Sequence, residues 1–456
     1  MVAEGSTADA APACPPHEAS PFSSALPWWA RPFRALRHRN YRLYFFGQFV
    51  SVTGSWVQTT ALMWLAYRLT RQSQWPALIA TAQILPTFLL GAWGGALADR
   101  VSKRALIMAT QTALLLLAVL LGILVLAGHV TPWHLLAITV AAGIVNGIDL
   151  PARLSFVMDM VGREDLVNAV ALNSLLFNGA RVVGPAVGGL LLTALGPGHC
   201  FLLNGLSFVA VLAALALMDV SGRSPSPPRP GLKALLDGWE HIVRRPNLAG
   251  LVLLTGLMAL FGWPFLTLLP ALADQTVGEA GTGPATLLAG DDPAAALHGE
   301  AYSRLLVGTG SGALLAAFTL AALSSRRWRR PFLAGAVAAT TVGLCGLALV
   351  SGMAGVTAGC ALAGFGLVLF NANSQSMVQL STDDHNRGRV MGIWSIIICG
   401  ALPLGNQLAG YAADRWGVSP VLAGQGIACL ASAVAVLALL AVWNRARGPR
   451  PDPSRR

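Results

Sequence analysis

Charge is what this sequence has least of. Only 11% of its 456 residues are charged and 55% are hydrophobic, whereas a soluble domain carries about 25% charged residues. That composition excludes an ordinary soluble protein and fits a chain that crosses a bilayer many times. Lysine is nearly absent: Lys103 and Lys233 stand against a large excess of arginine. Neither lysine sits in a G-x-x-x-x-G-K-[ST] loop, which excludes an ATP-driven pump within this chain. Cysteine is sparse as well. The six cysteines show no CxxC or metal-ligand spacing, and only Cys200 falls near the outer face, so no structural disulfide is expected. His129 and His134 lack an accompanying carboxylate, so no metal site is expected there. No Ser/His/Asp or paired-carboxylate arrangement points to an enzyme, and no cofactor is implied.

The charge that is present is organised. The net charge of +11 gathers in short clusters at the two ends and in every second loop between apolar segments, the pattern of cytoplasmic loops rather than of nucleic-acid binding. Only Arg68, Arg71, Arg304 and Arg415 fall on the other side. A span needs about 20 apolar residues, and roughly twelve such segments fill the chain. The expectation is an all-α protein of twelve transmembrane helices in two six-helix halves, multi-pass in a bacterial inner membrane, with both termini cytoplasmic. Residues 1–30 read as a disordered tail without the pattern of a signal peptide. Residues 31–218 form the first half. Residues 219–247 are a Pro/Ser/Gly-rich linker that ends in an amphipathic helix, Leu232 to Arg245, suited to the membrane surface. Residues 248–443 form the second half and 444–456 a basic tail. An offset of 221 residues carries Gly143 to Gly364, Ser174 to Ser395, Gly184 to Gly405 and Gly189 to Gly410, as two parallel halves would require. The acidic outer segment 271–300 reads as a loop, either a tolerated insertion or a dock for a periplasmic partner.

The same offset sends Asp149 to Phe370, Arg153 to Ser374 and Arg181 to Leu402. The glycines recur and the charges do not, so the charges belong to function rather than to architecture. A charge at membrane depth costs roughly 2.5–3.5 kcal/mol even on insertion scales. Asp149 and Arg153 are four residues apart and share a helix face, with Pro151 bending the helix between them. They form either a structural ion pair or a proton-handling pair. Arg181 is then a site for an anionic or carbonyl-rich substrate, or a second partner for Asp149. The first span carries Gln48, Ser51, Thr53, Ser55, Gln58 and Thr59, which suits a wall of an aqueous cavity or interhelical hydrogen bonding. Asn371, Asn373 and Gln375 either line the opposite wall or make interhelical hydrogen bonds, and Trp56, Trp263 and Trp394 are either substrate walls or interfacial and lipid-facing residues.

Two stretches carry a family likeness. Gly95, Asp99, Arg100, Lys103 and Arg104 resemble the loop signature G-x-x-x-D-[RK]-x-G-[RK]-[RK] of the major facilitator superfamily, with Ser102 in place of the second glycine. The resemblance implies that Asp99 and the basic residues bridge the halves on the inner side and act as a conformational switch. Here Asp99 would meet the eleventh span near Arg389. Gly184, Pro185, Gly188 and Gly189 resemble the GPxxGG signature of drug/proton antiporters, and should bend the fifth span against the first or the eighth. Leu36–Leu43, Asp149–Arg153 and Asn178–Arg181 resemble the transmembrane secretion effectors, a branch that includes the enterobactin exporter and macrolide efflux proteins. The resemblance implies a proton-coupled exporter of a medium-sized organic molecule, a siderophore first and an antibiotic second. Lysophospholipid flipping and a non-transporting receptor or scaffold are the alternatives.

Overall fold

The computed structural model describes residues 31–162, 164–219, 232–278, 293–323 and 325–446. The proposed tail 1–30, the tail 444–456 beyond residue 446, linker residues 220–231 and residues 279–292 of the outer segment lie outside the described residues. Among the described residues the long elements are all helices. In chain order they are α1 (Arg39–Thr70), α2 (Gln74–Ala98), α3 (Lys103–Leu126), α4 (Pro132–Val161), α5 (Leu166–Ala216), α6 (Leu232–Val243), α7 (Pro246–Phe261), α8 (Phe265–Val277), α9 (Pro293–Ala322), α10 (Arg329–Leu349), α11 (Met353–Leu380), α12 (Asp384–Trp416) and α13 (Val418–Ala446).

Nine segments among the described residues are long and apolar enough to cross a membrane. One of them makes two passes. At Gly196 in α5 the backbone leaves the helical region (φ 78°, ψ 171°) and Pro197 follows. A positive φ favours glycine, and the proline removes the donor that would carry the helix on. Before the break, Gly184 and Gly188 pack on Trp56 and Thr60, so this arm runs parallel to α1. After it, Asn204 and Ser207 pack beside Gly54, and Ala210 and Ala214 beside Gly47, so the second arm runs antiparallel. With α1 and α2, of 32 and 25 residues, the described helices are compatible with twelve passes. The seventh pass is broken at 262–264 and consists of α7 and α8. The sequence places its end near Leu269, but the helix continues to Val277 and α9 begins at Pro293. Much of the expected loop 271–300 is therefore helical, and Asp274 and Glu300 are helix residues.

The glycine repeat has a packing basis. Gly143 meets Ala82 and Pro86 of α2, and its counterpart Gly364 meets Thr309 of α9. Gly184 meets α1 at Trp56, and Gly405 meets the seventh pass at Leu260 and Pro264. Gly189 reaches across to Ser303 of α9, while Gly410 reaches across to Ser73, Gln74 and Ala77 of α2. Each pair contacts equivalent helices of the two halves, because only a hydrogen at Cα lets the backbones come this close.

The halves are joined at the end opposite the termini. Asp414 accepts hydrogen bonds from the N–H groups of Ser73 (2.5 Å) and Gln74 (3.0 Å), and Asp274 pairs with Arg71 (2.7 Å). Deeper along the same seam, Gln407 donates to Thr81 (3.1 Å). We call this the closed end. At the other end α6 packs on α12 through Gly238, against Arg389 and Ile393. Ile242 is buried there, while Leu236, Trp239 and Val243 are left exposed.

Candidate transport site

Asp149 sits at the interface of α3 and α4 and is fully buried. Its carboxylate is saturated with donors. Arg153 Nε lies 2.6 Å away, Thr110 Oγ1 donates at 2.6 Å, and Gln111 Nε2 donates at 3.0 Å. The i,i+4 geometry of α4 places Arg153 on the same face, and the α3 polar pair supplies the rest. A buried carboxylate with two hydrogen-bond donors and an ion-pair partner is well satisfied. One side of Arg153 is different: it borders open space, with its guanidinium over the Phe177 ring (5.9 Å to the centroid).

That space is a cavity of about 340 Å³ walled by residues between Ser51 and Phe208, all from the first half. Gln58, Gln83, Gln111, Asn146 and Asn204 give it polar edges, and Trp56, Phe177 and Phe208 give it flat apolar ones. Among the described residues Arg153 is its only charged lining residue. Gln58 accepts from Asn204 (2.7 Å), which fixes both amides. Arg181, on the first arm of α5, stands over the Trp56 ring at 6.0 Å. Among the described residues no carboxylate pairs with it. One guanidinium, Arg153, thus lines an aromatic and amide-edged cavity, its carboxylate partner is already engaged, and Arg181 stands outside the lining against Trp56.

A model of the transmembrane secretion effector family matches residues 30–447. The chain belongs to that family, in the major facilitator superfamily. It is similar to the staphyloferrin A transporter of Staphylococcus aureus, 25% identical over 246 residues, 51% of this chain and 59% of that protein. The chain thus spans less than two thirds of that relative. It is also similar to the enterobactin exporter EntS of Shigella boydii and Escherichia coli, 26% identical over 365 residues, 78% of this chain and 81% of EntS. Among solved structures the nucleoside transporter NupG matches at a TM-score of 0.66 and 12% identity, covering 88% of this chain and 98% of NupG. A bacterial homologue of ferroportin in an inward-facing state matches at 0.60 and 16%, covering 88% and 98%. These neighbours share the fold. The family is one of membrane transporters, not enzymes.

The signature residues of this secretion effector fall in distinct places. Gly184 and Gly188 seat α1, and Gly189 seats α9, so the Pro185 stretch touches both expected neighbours. Gly95 is buried near the end of α2. Asp99 and Arg100 are exposed. Lys103 turns inward and pairs with Asp159 of α4 (3.1 Å), both side chains being 3% exposed. Arg104 Nη2 donates to the Ala216 carbonyl (3.0 Å). Among the described residues the expected contact of Asp99 with α12 is not made: Arg389 faces Asp237 of α6 instead (3.5 Å). An ionic contact that spans the halves at that end requires them to be together there, and they are joined at the other.

Of the two roles expected for the α11 amides, interhelical hydrogen bonding is the one Asn373 adopts. Asn371, Asn373 and Gln375 do not line this cavity. Asn373 is buried and donates to the Arg329 carbonyl (2.7 Å), which ties α11 to the start of α10. Gln48 is fully buried off the cavity, whereas Gln58 lines it. Trp263 lies in the break between α7 and α8, and Trp394 packs against α6 and α7 in a separate cluster. Sequence reasoning missed Thr110 and Gln111. Their signal was a polar pair inside an otherwise apolar span.

Proposed function

We propose that this secretion effector exports a siderophore-like organic anion from the cytoplasm in exchange for protons, with its termini and basic loops on the cytoplasmic side. The observation that carries the reading is the double position of Arg153, which holds Asp149 at 2.6 Å and also lines the cavity. With Asp149 ionised, Arg153 is drawn to the α3–α4 wall and the cavity is free. The substrate's anionic or carbonyl groups then meet Arg181, and its flat parts meet Trp56 and Phe177. A proton on Asp149 releases the Arg153 side chain into a space of only about 340 Å³, where it takes room the substrate needs. Proton and substrate exclude one another, as antiport requires. The names of the relatives support a siderophore.

The test has two parts. Spent medium from wild-type, deletion and Asp149→Asn strains, grown with and without iron, is compared by mass spectrometry. One iron-regulated metabolite should vanish from the medium and accumulate in both mutants. Binding of that metabolite to purified protein should then release a proton into weakly buffered solution. Identical media would sink the siderophore reading. Proton uptake on binding would sink antiport, since it would mean that the anion takes Arg153 for itself.

A further inference from the structure

The turn between α9 and α10 reads Ser325-Arg326-Arg327-Trp328-Arg329-Arg330. α9 starts at the closed end, where His298 Nδ1 lies 3.2 Å from Asp274, so this turn lies at the opposite end. It is the second half's counterpart of the loop between α2 and α3. An offset of 226 residues carries Lys103, the first residue of α3, to Arg329, the first residue of α10, and carries Arg100 and Arg104 to Arg326 and Arg330. The offset exceeds 221 because Arg329 to Met353 is five residues shorter than Lys103 to Pro132. The basic residues recur and the acids do not. Asp99 becomes Ser325, and Asp159, which holds Lys103 at 3.1 Å, falls on Leu380 at the offset of 221.

Arg327 and Arg330 are exposed and Arg329 is partly buried. Among the described residues none of the three has a carboxylate partner. Acids elsewhere at this end are engaged: Asp383 by Arg245 (2.9 Å), Asp237 by Arg389 (3.5 Å) and Glu240 by Arg244. The Arg327 guanidinium stands 5.2 Å from the centroid of the Trp328 ring. That ring stacks on Phe332 at 6.0 Å, with 20° between the planes. The stack holds Arg327 at the rim of an open groove of about 530 Å³, lined also by Ala322, Leu323, Ser325 and Trp328. Ala322 ends a segment apolar enough to span a membrane, so the groove lies at the membrane boundary. On the bilayer side of it Leu314, Leu315 and Phe318 of α9 are exposed and lead to Ala322 at helical spacing.

We infer that this groove binds the headgroup of an anionic phospholipid, with Arg327 and Arg330 on the phosphate and the acyl chains along α9. A guanidinium fork matches phosphate oxygens two at a time, and Ser325 adds a hydroxyl donor. A carboxylate of the chain would neutralise the arginines, as Asp159 neutralises Lys103. Its loss in this half leaves the charge for an anion from outside. Basic pockets and tryptophans at the membrane surface are suited to lipid headgroups. A zwitterionic headgroup brings its own cation to a site that is already cationic, so a net negative lipid is preferred. On the reading above that the basic loops face the cytoplasm, the inner leaflet supplies the lipid. Binding itself depends neither on that reading nor on the substrate.

Native mass spectrometry tests it on full-length protein, delipidated in non-ionic detergent and titrated with dioleoyl phosphatidylglycerol or dioleoyl phosphatidylcholine. The parent should bind one phosphatidylglycerol at least about tenfold more tightly than phosphatidylcholine, as two arginines near a lipid surface supply. Arg327→Gln/Arg330→Gln should lose that preference. Arg39→Gln/Arg415→Gln, which removes two exposed charges elsewhere, should keep it. Ser325→Asp returns an acid to the place of Asp99 and should weaken phosphatidylglycerol binding several-fold; it decides the matter should the double variant not fold. Equal affinity of the parent for both lipids overturns the proposal, as does parent-like preference in Arg327→Gln/Arg330→Gln or in Ser325→Asp. Millimolar inorganic phosphate should leave the lipid in place; displacement would make this a site for free phosphate and overturn the lipid. Deletion of residues 1–30 should leave the affinity unchanged, and a gain of binding would give the groove to the acids of that tail instead.

Discussion

Removal of the Asp149 carboxylate separates its structural role from its transport role. In Asp149→Asn the side chain keeps its shape and an acceptor for Thr110, but Arg153 loses its only carboxylate partner. The loss of one member of a buried pair costs about 3–5 kcal/mol, because the other charge is abandoned. Arg153 is 12% exposed and borders the cavity, so water can reach it and the lower figure, about 3 kcal/mol, applies. In Asp149→Asn/Arg153→Gln no charge is left behind, and two amides remain to bond with Thr110 and Gln111. Replacing a whole buried pair is close to neutral, so the double variant should fall within about 1 kcal/mol of the parent. The double variant should therefore recover about 2–3 kcal/mol relative to Asp149→Asn. Unfolding in mixed micelles with rising sodium dodecyl sulfate, followed by tryptophan fluorescence, measures it. A double variant no more stable than Asp149→Asn would refute the reasoning. A double variant that recovers stability yet fails to release a proton on binding substrate would assign proton handling to the pair.

Three further outcomes are expected. Gly184→Leu and Gly188→Val drive side chains into Trp56 and Thr60 and should abolish monodisperse protein in size-exclusion chromatography, while Gly179→Ala, which meets open space, should gain up to about 1 kcal/mol of stability. Burial alone would raise the Asp165 carboxyl, but the hydrogen bond to His38 and the charges of Arg37 and Arg34 outweigh it and hold it below its ordinary value. A depressed carboxyl stabilises the fold above its unfolded value and ceases to do so as the pH falls through the folded one. Hydrogen exchange over residues 31–38 should therefore stay slow at neutral pH and accelerate in acid, and Asp165→Asn should be fast at both. Arg181→Gln should weaken binding of an anionic substrate by about ten- to a hundredfold, the value of a hydrogen bond to a charged group; unchanged affinity by calorimetry would remove Arg181 from the site.

The passes were legible because apolar length and basic loops are local signals, and even the polar α1 was placed by its flanks. The repeat was legible because the same close approach recurs at Gly143 and Gly364, and at Gly189 and Gly410. Asp149 and Arg153 stood out through their cost in an apolar run. What escaped was whatever depends on a partner far along the chain. Asp274 read as a loop acid because Gly262, Trp263 and Pro264 interrupt the seventh pass and the helix resumes beyond its apolar stretch. Nothing local marks His298, 24 positions on, as its neighbour. For Asn373 the sequence left cavity lining and interhelical bonding open, because it does not show that the Arg329 carbonyl stands in front of it.

The glycine contacts at Gly189 and Gly410 have a mechanical meaning. They lie at the seam where the halves touch, far from the opposite ends of their helices. From Gly189 back to Leu166 the helix is about 35 Å long at 1.5 Å per residue. A tilt of ~10° at that fulcrum moves the far tip by about 6 Å over such an arm. Small residues at the pivot keep the short side of the lever tight, so if the halves rock as the proposed exporter requires, a sub-ångström slip at the seam would become a doorway-sized displacement at the other face.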